Sequence, residues 1–402
     1  MRNATRVWIC AIVALLCCMP LGASAARKEI NVLMESVPDT DFVLECLPEF
    51  EKATGIKVNI ESVTYAAMHE KLIPQLTARR GSYDVIVVDK QWVGEFVGAG
   101  WLEPLDRYIA NTKGFDTSVY VPALFNQIGQ VHGSTYMLPF YNYSMGLVYR
   151  TDLFKDAQLK SEYKKRFGKD LAVPTTVEDY IQTAKFMTRN YKGEQIYGVI
   201  PQLARGVGIH AEWACLMFAH GGDYYDSRWK PTVNKGGALR AAEVLLELYK
   251  TSAPAGATAY NFDEVFSAMS QGKGTMMATY GWMLAKLNDP EQSKVAGKVA
   301  MTVMPGGHAV GGGWGWAIPK SAPDADAAWQ FLSWVESFEV AKKRALLGGA
   351  PTRFDVFRDK EVLAKYPTMS EMEKIVATGN RCRSCSAQTR SLMCWPESSR
   401  KP

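Results

Sequence analysis

Apolar positions along the chain switch between a strand period and a helix period, and the order of the switches sets out the architecture. Glu29 to Met34 (EINVLM) is an apolar run of strand length. Phe42, Val43, Cys46, Leu47 and Phe50 then recur at helical spacing, behind a Pro38-Asp39-Thr40-Asp41 turn able to cap a helix. Pro48 falls inside that spacing and predicts a kink or a displaced start. Gly55 ends the helix, Ile56, Val58 and Ile60 alternate as a strand, and a second helix is expected over about residues 65–79. Tyr83 to Val88 (YDVIVV) is continuously apolar, as a strand covered on both faces should be. This β-α-β-α-β order predicts a parallel, doubly wound α/β sheet.

The stretch Tyr136 to Phe154 (YMLPFYNYSMGLVYRTDLF) has a different character. An apolar approach gives way to the polar aromatic cluster Tyr141-Asn142-Tyr143, and a second extended run follows from Met145 to Tyr149. That order suits a chain leaving one lobe, crossing a cleft and opening a strand of a second lobe. Further on, helices are expected from Thr176, over 212–218, 238–249 and 262–269, and as a pair or one long helix over 327–347. Strands are expected at 196–200, 274–278 and 299–304. Tyr224-Tyr225 reads as a turn entering a short hairpin.

Length and charge narrow the picture. Arg2 and Arg6, the fifteen-residue apolar run Val7 to Leu21 and the small residues Ala23-Ser24-Ala25 have the form of a cleavable signal peptide over 1–25. Fifteen apolar residues fall short of the ~20 a membrane span needs. The expectation is export to the periplasm. The remaining 377 residues exceed the size at which one core usually divides, so two lobes are expected. The net charge of +5 sits at the two ends, and residues 26–380 carry −1, which leaves no basic field for nucleic acid and no basic stripe for a membrane. Cys46 and Cys215 lie in apolar helical contexts and are read as buried free thiols in different lobes.

Several chemical motifs fail on spacing. Gly272-Lys273-Gly274-Thr275 lacks the upstream glycine and the following helix of a phosphate loop. His69-Glu70 has no second histidine four residues after the first, and no Gly-x-Ser-x-Gly occurs. No metal site, cofactor or catalytic residue is assigned. Open sheets of this kind bind ligands at the carboxyl ends of their strands. Glu35 and Asp89 fall there, with Trp92 three residues beyond Asp89. Tyr141 joins them from the crossing. The 274–278 strand runs into Tyr280-Gly281-Trp282. The run Gly311 to Trp316 is either a flexible turn with core tryptophans or a close backbone approach with Trp314 or Trp316, which alternate in phase on one face, as a stacking wall.

The chain resembles the extracellular solute-binding proteins (family 1) of sugar ABC transporters over about residues 29–377. The most specific pieces are LPEFEKATGIKV (Leu47 to Val58) and YDVIVVDKQWVGEFVGAGWLEPLD (Tyr83 to Asp106), with LPFYNYSMGLVYRTDLF, HGGDYYDSRWKPTVN and GKGTMMATYGW in family order. The resemblance implies two α/β lobes joined at a hinge, a periplasmic-binding-protein fold, and a solute held between them. The expected segments are 26–139 in the first lobe, 140–282 in the second, 283–318 back in the first and 319–380 in the second. It further implies ligand contacts from Glu35, Asp89, Asn142, Glu212, Trp213, Trp282 and Arg353, the last in GAPTR. The implied partners are a sugar or polyol and the permease subunits of an ABC importer, with the protein itself a monomer.

The family pattern is lost after Asn380. The tail over 381–402 holds Cys382, Cys385 and Cys394 in a basic, Ser/Arg-rich context without helical period. An altered reading frame or a truncation that replaced the native end would account for it. Two other functions compete with sugar capture: an exported carbohydrate-active enzyme using Glu35 and Asp89 as paired carboxylates, and binding of a non-carbohydrate solute such as a polyamine.

Overall fold

The computed structural model describes residues 29–379 apart from Trp229. The signal-peptide expectation over 1–25 and the tail over 381–402 lie outside the described residues. Ten strands build two five-stranded sheets: β1 (Glu29–Glu35), β2 (Lys57–Val63), β3 (Val85–Asp89), β4 (Leu138–Asn142), β5 (Met145–Arg150), β6 (Arg189–Tyr191), β7 (Glu194–Val199), β8 (Gly274–Tyr280), β9 (Val299–Thr302) and β10 (Gly313–Ala317). The first sheet runs β2-β1-β3-β10-β4, with β1 parallel to β2 and β3, and β10 antiparallel to both β3 and β4. The second runs β9-β5-β8-β7-β6, with only the β8–β7 pair parallel.

Each sheet carries its own core. Every residue of β3 is buried, and β1 buries Ile30, Val32, Leu33 and Met34, as strands covered on both faces should. The helix Pro38–Thr54 turns Val43, Cys46, Leu47 and Phe50 onto the first sheet and ends at Gly55, whose φ of 70° suits glycine. Pro48 lies within it, and the helix begins at Pro38, inside the stretch expected as a capping turn. In the second lobe, Thr176 caps Val177–Met187 by accepting from the Asp179 N–H, and Val207–Ala219 packs on Gly236–Ser252. Cys46 and Cys215 are free buried thiols, one in each core, as their contexts suggested.

Two expected boundaries change. Residues 283–318 were expected in the first lobe, yet β9 pairs antiparallel with β5 and closes the edge of the second sheet, so the return to the first lobe comes only at β10. Residues 319–380 were expected in the second lobe. Instead, Ala325–Val335 and Phe338–Leu347 cover the first core, where the Phe331 ring lies 5.5 Å from Phe50 and 5.8 Å from Trp316. An apolar helix face follows the core that has room for it, and sequence order does not reveal which core that is.

Only Tyr143 and Ser144 separate β4 in the first sheet from β5 in the second. A second crossing returns between β9 and β10. The two crossings are hydrogen-bonded, Tyr143 N–H to the Gly312 carbonyl at 3.0 Å and Met145 N–H to the Val310 carbonyl at 3.0 Å. The helix Met369–Ala377 spans the join, with Ile375 buried in a core of the second lobe and Val376 in that of the first.

Candidate site at the lobe crossing

The strand register gathers the candidate side chains. Glu35 ends β1 and Asp89 ends β3, its parallel neighbour. On β10, Trp314 stands opposite Asp89, and on β4, Tyr141 stands opposite Trp314. Two carboxylates and two aromatic rings thus share one edge of the first sheet. Gly313 to Ala317 is a buried strand, not a flexible turn. Its glycines answer to the neighbouring strand: a Cβ on Gly313 would collide with the Tyr141 carbonyl, and one on Gly315 with the Met137 side chain.

Around Trp314 the rings form a wall. Tyr65 stacks on Trp92 at 5.4 Å and 26°, and both meet the Trp314 ring edge-on, at 5.8 Å and 5.3 Å. Tyr141 lies near parallel to Trp314 at 6.2 Å. Trp314 is only 3% exposed, whereas Tyr65 is 45% exposed and gives the wall its open end. Trp92 begins the helix Val93–Gly98 and Tyr65 the helix Tyr65–Thr77, so both ring positions are set by helix starts just past strand ends.

Tyrosine hydroxyls orient the carboxylates. Tyr141 donates to Glu35 Oε2 at 2.5 Å, and Tyr143 donates to Asp89 Oδ1 at 2.8 Å, which also accepts the Gln91 N–H at 3.0 Å. Burial raises both acids above the usual carboxylate range, and for Glu35 the nearby charges of Asp89 and Asp39 push the same way. Asp39, on the first turn of its helix, is raised to about 6 by burial.

From the second lobe, Tyr280 at the end of β8 meets the Tyr143 ring edge-on at 6.3 Å. Trp282, two residues on, is 48% exposed and leans on Phe262 at 5.7 Å. Glu212 is buried behind this face. Its Oε1 accepts the Gln202 N–H at 2.7 Å, and burial raises its pKa to about 8.

Three expected contacts are spent on the fold. Asn142 donates its Nδ2 to the Pro351 carbonyl at 2.6 Å. Trp213 donates its Nε1 to the Ala238 carbonyl at 2.9 Å, pinning one helix to the next. Arg353 holds Asp355 through Nε and Nη2 (3.0 and 2.7 Å) and the Glu336 carbonyl through Nη1. Tyr65 and Tyr143 were not among the expected site residues. The strand-end rule that selected Glu35 and Asp89 also points past β2 to Tyr65, and Tyr143 is the second ring of the crossing cluster. Among the described residues, no three His, Cys, Asp or Glu side chains are grouped to hold a metal ion.

Comparison with known proteins identifies the family and matches the two-lobed fold. Residues 36–342 match the family model for bacterial extracellular solute-binding proteins. The chain is 23% identical over 320 residues to a probable amino-acid ABC transporter periplasmic-binding protein of Sinorhizobium fredii, covering 79% of this chain and 71% of that one. It is 26% identical over 277 residues to a mannitol-binding protein of Pseudomonas aeruginosa, covering 67% of this chain and 60% of the relative's length. A solved ABC transporter solute-binding protein from Agrobacterium radiobacter K84, in complex with ribitol, superposes with a TM-score of 0.73 at 25% identity over 92% of this chain and 94% of that one. With two lobes, a double crossing and a family match across most of its length, the chain belongs to the bacterial extracellular solute-binding proteins.

Proposed function

We propose that this protein captures a sugar or polyol in the periplasm and delivers it, unaltered, to the permease of an ABC importer, acting as a monomer without a cofactor. The observation that carries the reading is the set of side chains at the crossing: Glu35 and Asp89 at adjacent strand ends, faced by Tyr65, Trp92 and Trp314. Carboxylate oxygens accept from neighbouring hydroxyls, often two at a time. Indole and phenol faces suit the C–H surface of a sugar or alditol. Mannitol and ribitol, bound by relatives, have this chemistry.

Tyr280 and Trp282 stand on the other lobe, so a cargo touching both walls is fully contacted only when the lobes close. That differential contact favours the closed population, the state offered to the permease. Thermal-shift screening of mono-, di- and trisaccharides and alditols, followed by calorimetry on the best ligand, tests the reading. Stoichiometric binding with the ligand recovered unchanged supports it. Turnover of a glycoside, or no stabilisation by any member of the panel, sinks it.

A further inference from the structure

One ring of the first wall makes the contacts that a cargo would make. Tyr65 stacks on Trp92 at 5.4 Å and 26° and meets Trp314 edge-on at 5.8 Å. Its hydroxyl is hydrogen-bonded to the Asp89 carboxylate. A flat face laid on an indole and a hydroxyl on a strand-end acid are the two contacts by which this site would hold a sugar or polyol. The chain itself thus supplies a hydroxyl-bearing ring, seated on groups that a ligand needs.

The seat is firm and its occupant is lightly held. Asp89 and Trp314 are buried, whereas Tyr65 is exposed. Trp92 is packed without Tyr65, by the His69 ring at 5.0 Å and by Trp314 at 5.3 Å. Asp89 also keeps the Tyr143 hydroxyl and the Gln91 N–H as donors, at 2.8 Å and 3.0 Å. Tyr65 is the first residue of the helix Tyr65–Thr77, and Thr64 ahead of it makes no side-chain cap. Beyond that first residue the helix is anchored: Met68 and Leu72 are fully buried, and His69 holds Glu95 at 3.1 Å. The phenol can therefore turn away about its own side-chain bonds, a fast motion for an exposed residue, while the helix, Trp92 and Asp89 stay in place.

We propose that Tyr65 is an internal stand-in for the cargo: its phenol fills the subsite between Trp92 and Asp89 in the ligand-free protein, and the incoming sugar or polyol displaces it. This rests on the binding reading above and adds a gate to its site. A gate lowers the apparent affinity by the fraction of chains in which the ring has swung out. The sign of a substitution separates this role from that of an ordinary contact, whose loss weakens binding. Calorimetry on the full chain with mannitol, ribitol and maltose is expected to show Tyr65→Ala binding the tightest of the three about three- to tenfold more tightly than the unsubstituted protein. Tyr65→Phe, which keeps the ring and removes only its hold on Asp89, should shift affinity in the same direction by less. Thermal unfolding of the ligand-free variants checks that each is folded; if Tyr65→Ala is not, Tyr65→Phe decides. An affinity unchanged or weakened by the deciding substitution overturns the inference and leaves sugar or polyol capture standing. Failure of every sugar and alditol to bind the unsubstituted protein or either variant overturns both.

Discussion

The two walls of the crossing are built differently. On the first lobe, Glu35 and Asp89 are held by tyrosine hydroxyls and faced by a packed ring wall, so donors, acceptors and apolar faces are set before a ligand arrives. On the second lobe, Tyr280 is buried, Trp282 is 48% exposed, and the carboxyl of Glu212 is withdrawn behind them against a backbone N–H. A preorganised wall loses little freedom on binding, and a looser wall loses more. In the proposed site the cargo therefore docks on the first lobe and recruits the second.

The harshest test of that asymmetry removes the support under the first wall. Trp316 lies two residues from Trp314 on β10, but it faces the core, with its Nε1 donating to Glu336 at 2.9 Å. Glu336 also accepts from Arg344 at 2.7 Å, and Arg344 reaches the Phe140 carbonyl on β4 at 3.5 Å. One buried acid thus braces the two strands that carry Trp314 and Tyr141. Trp316→Ala is expected to cost about 3–5 kcal/mol through lost burial and the cavity left behind, with more from the hydrogen bond that Glu336 loses. Denaturant unfolding of the ligand-free protein measures it; a loss of under about 1 kcal/mol would mean that the first wall is not braced from behind.

Glu212 tests the second wall by pH. Its folded pKa of about 8 stands above the ordinary 4.5. Below pH 4.5 both folded and unfolded chains carry the proton, and the burial has no linked cost. Between 4.5 and about 8 the unfolded chain ionises while the folded chain keeps its proton. Stability then falls with rising pH, by about 1.4 kcal/mol per unit, and levels off above the folded value. Glu212→Gln keeps an oxygen for the Gln202 N–H and cannot titrate, so its unfolding free energy should lack this fall. Equal pH dependence in the two proteins would show that Glu212 is not the buried neutral acid described.

Asp89→Asn acts on the proposed ligand contact. It keeps an oxygen for Tyr143 while removing the charge, and the expected loss is about 1.5–3 kcal/mol, roughly tenfold to a hundredfold or more in Kd. Calorimetry against the best ligand reads it. An unchanged Kd would move the site away from the strand ends.

Much of this arrangement was legible in the sequence, for a physical reason. Strand ends of a parallel sheet are set by local order, so an apolar run followed by Glu35 or Asp89 already places an acid at the edge. The crossing was legible as well, because an aromatic-amide cluster between two extended runs has few other uses. What was not legible depends on distant partners. Asn142, Trp213 and Arg353 have the chemistry of ligand contacts, but Pro351, Ala238 and Asp355 claim them, and those pairings exist only once the chain has folded. The same holds for Ala325–Val335: its apolar face is plain from the spacing, yet only Phe50 and Trp316 decide which lobe it covers.

Trp282 gives the smallest effect and the sharpest view of the looser wall. It is the second residue of the helix Gly281–Leu287, with its ring half exposed and leaning on Phe262. Its removal leaves no cavity in either core, so the unfolding midpoint should move little. If the ring closes over the cargo, Trp282→Ala deletes a contact made in the closed state and absent from the open one. The affinity should drop about tenfold, or about 1.4 kcal/mol, and the loss should appear in the dissociation rate, because first contact is made on the other wall. Stopped-flow tryptophan fluorescence and calorimetry separate these terms. A slower association rate with unchanged dissociation would mean that the exposed indole receives the ligand first, which would reverse the order of docking inferred from the two walls.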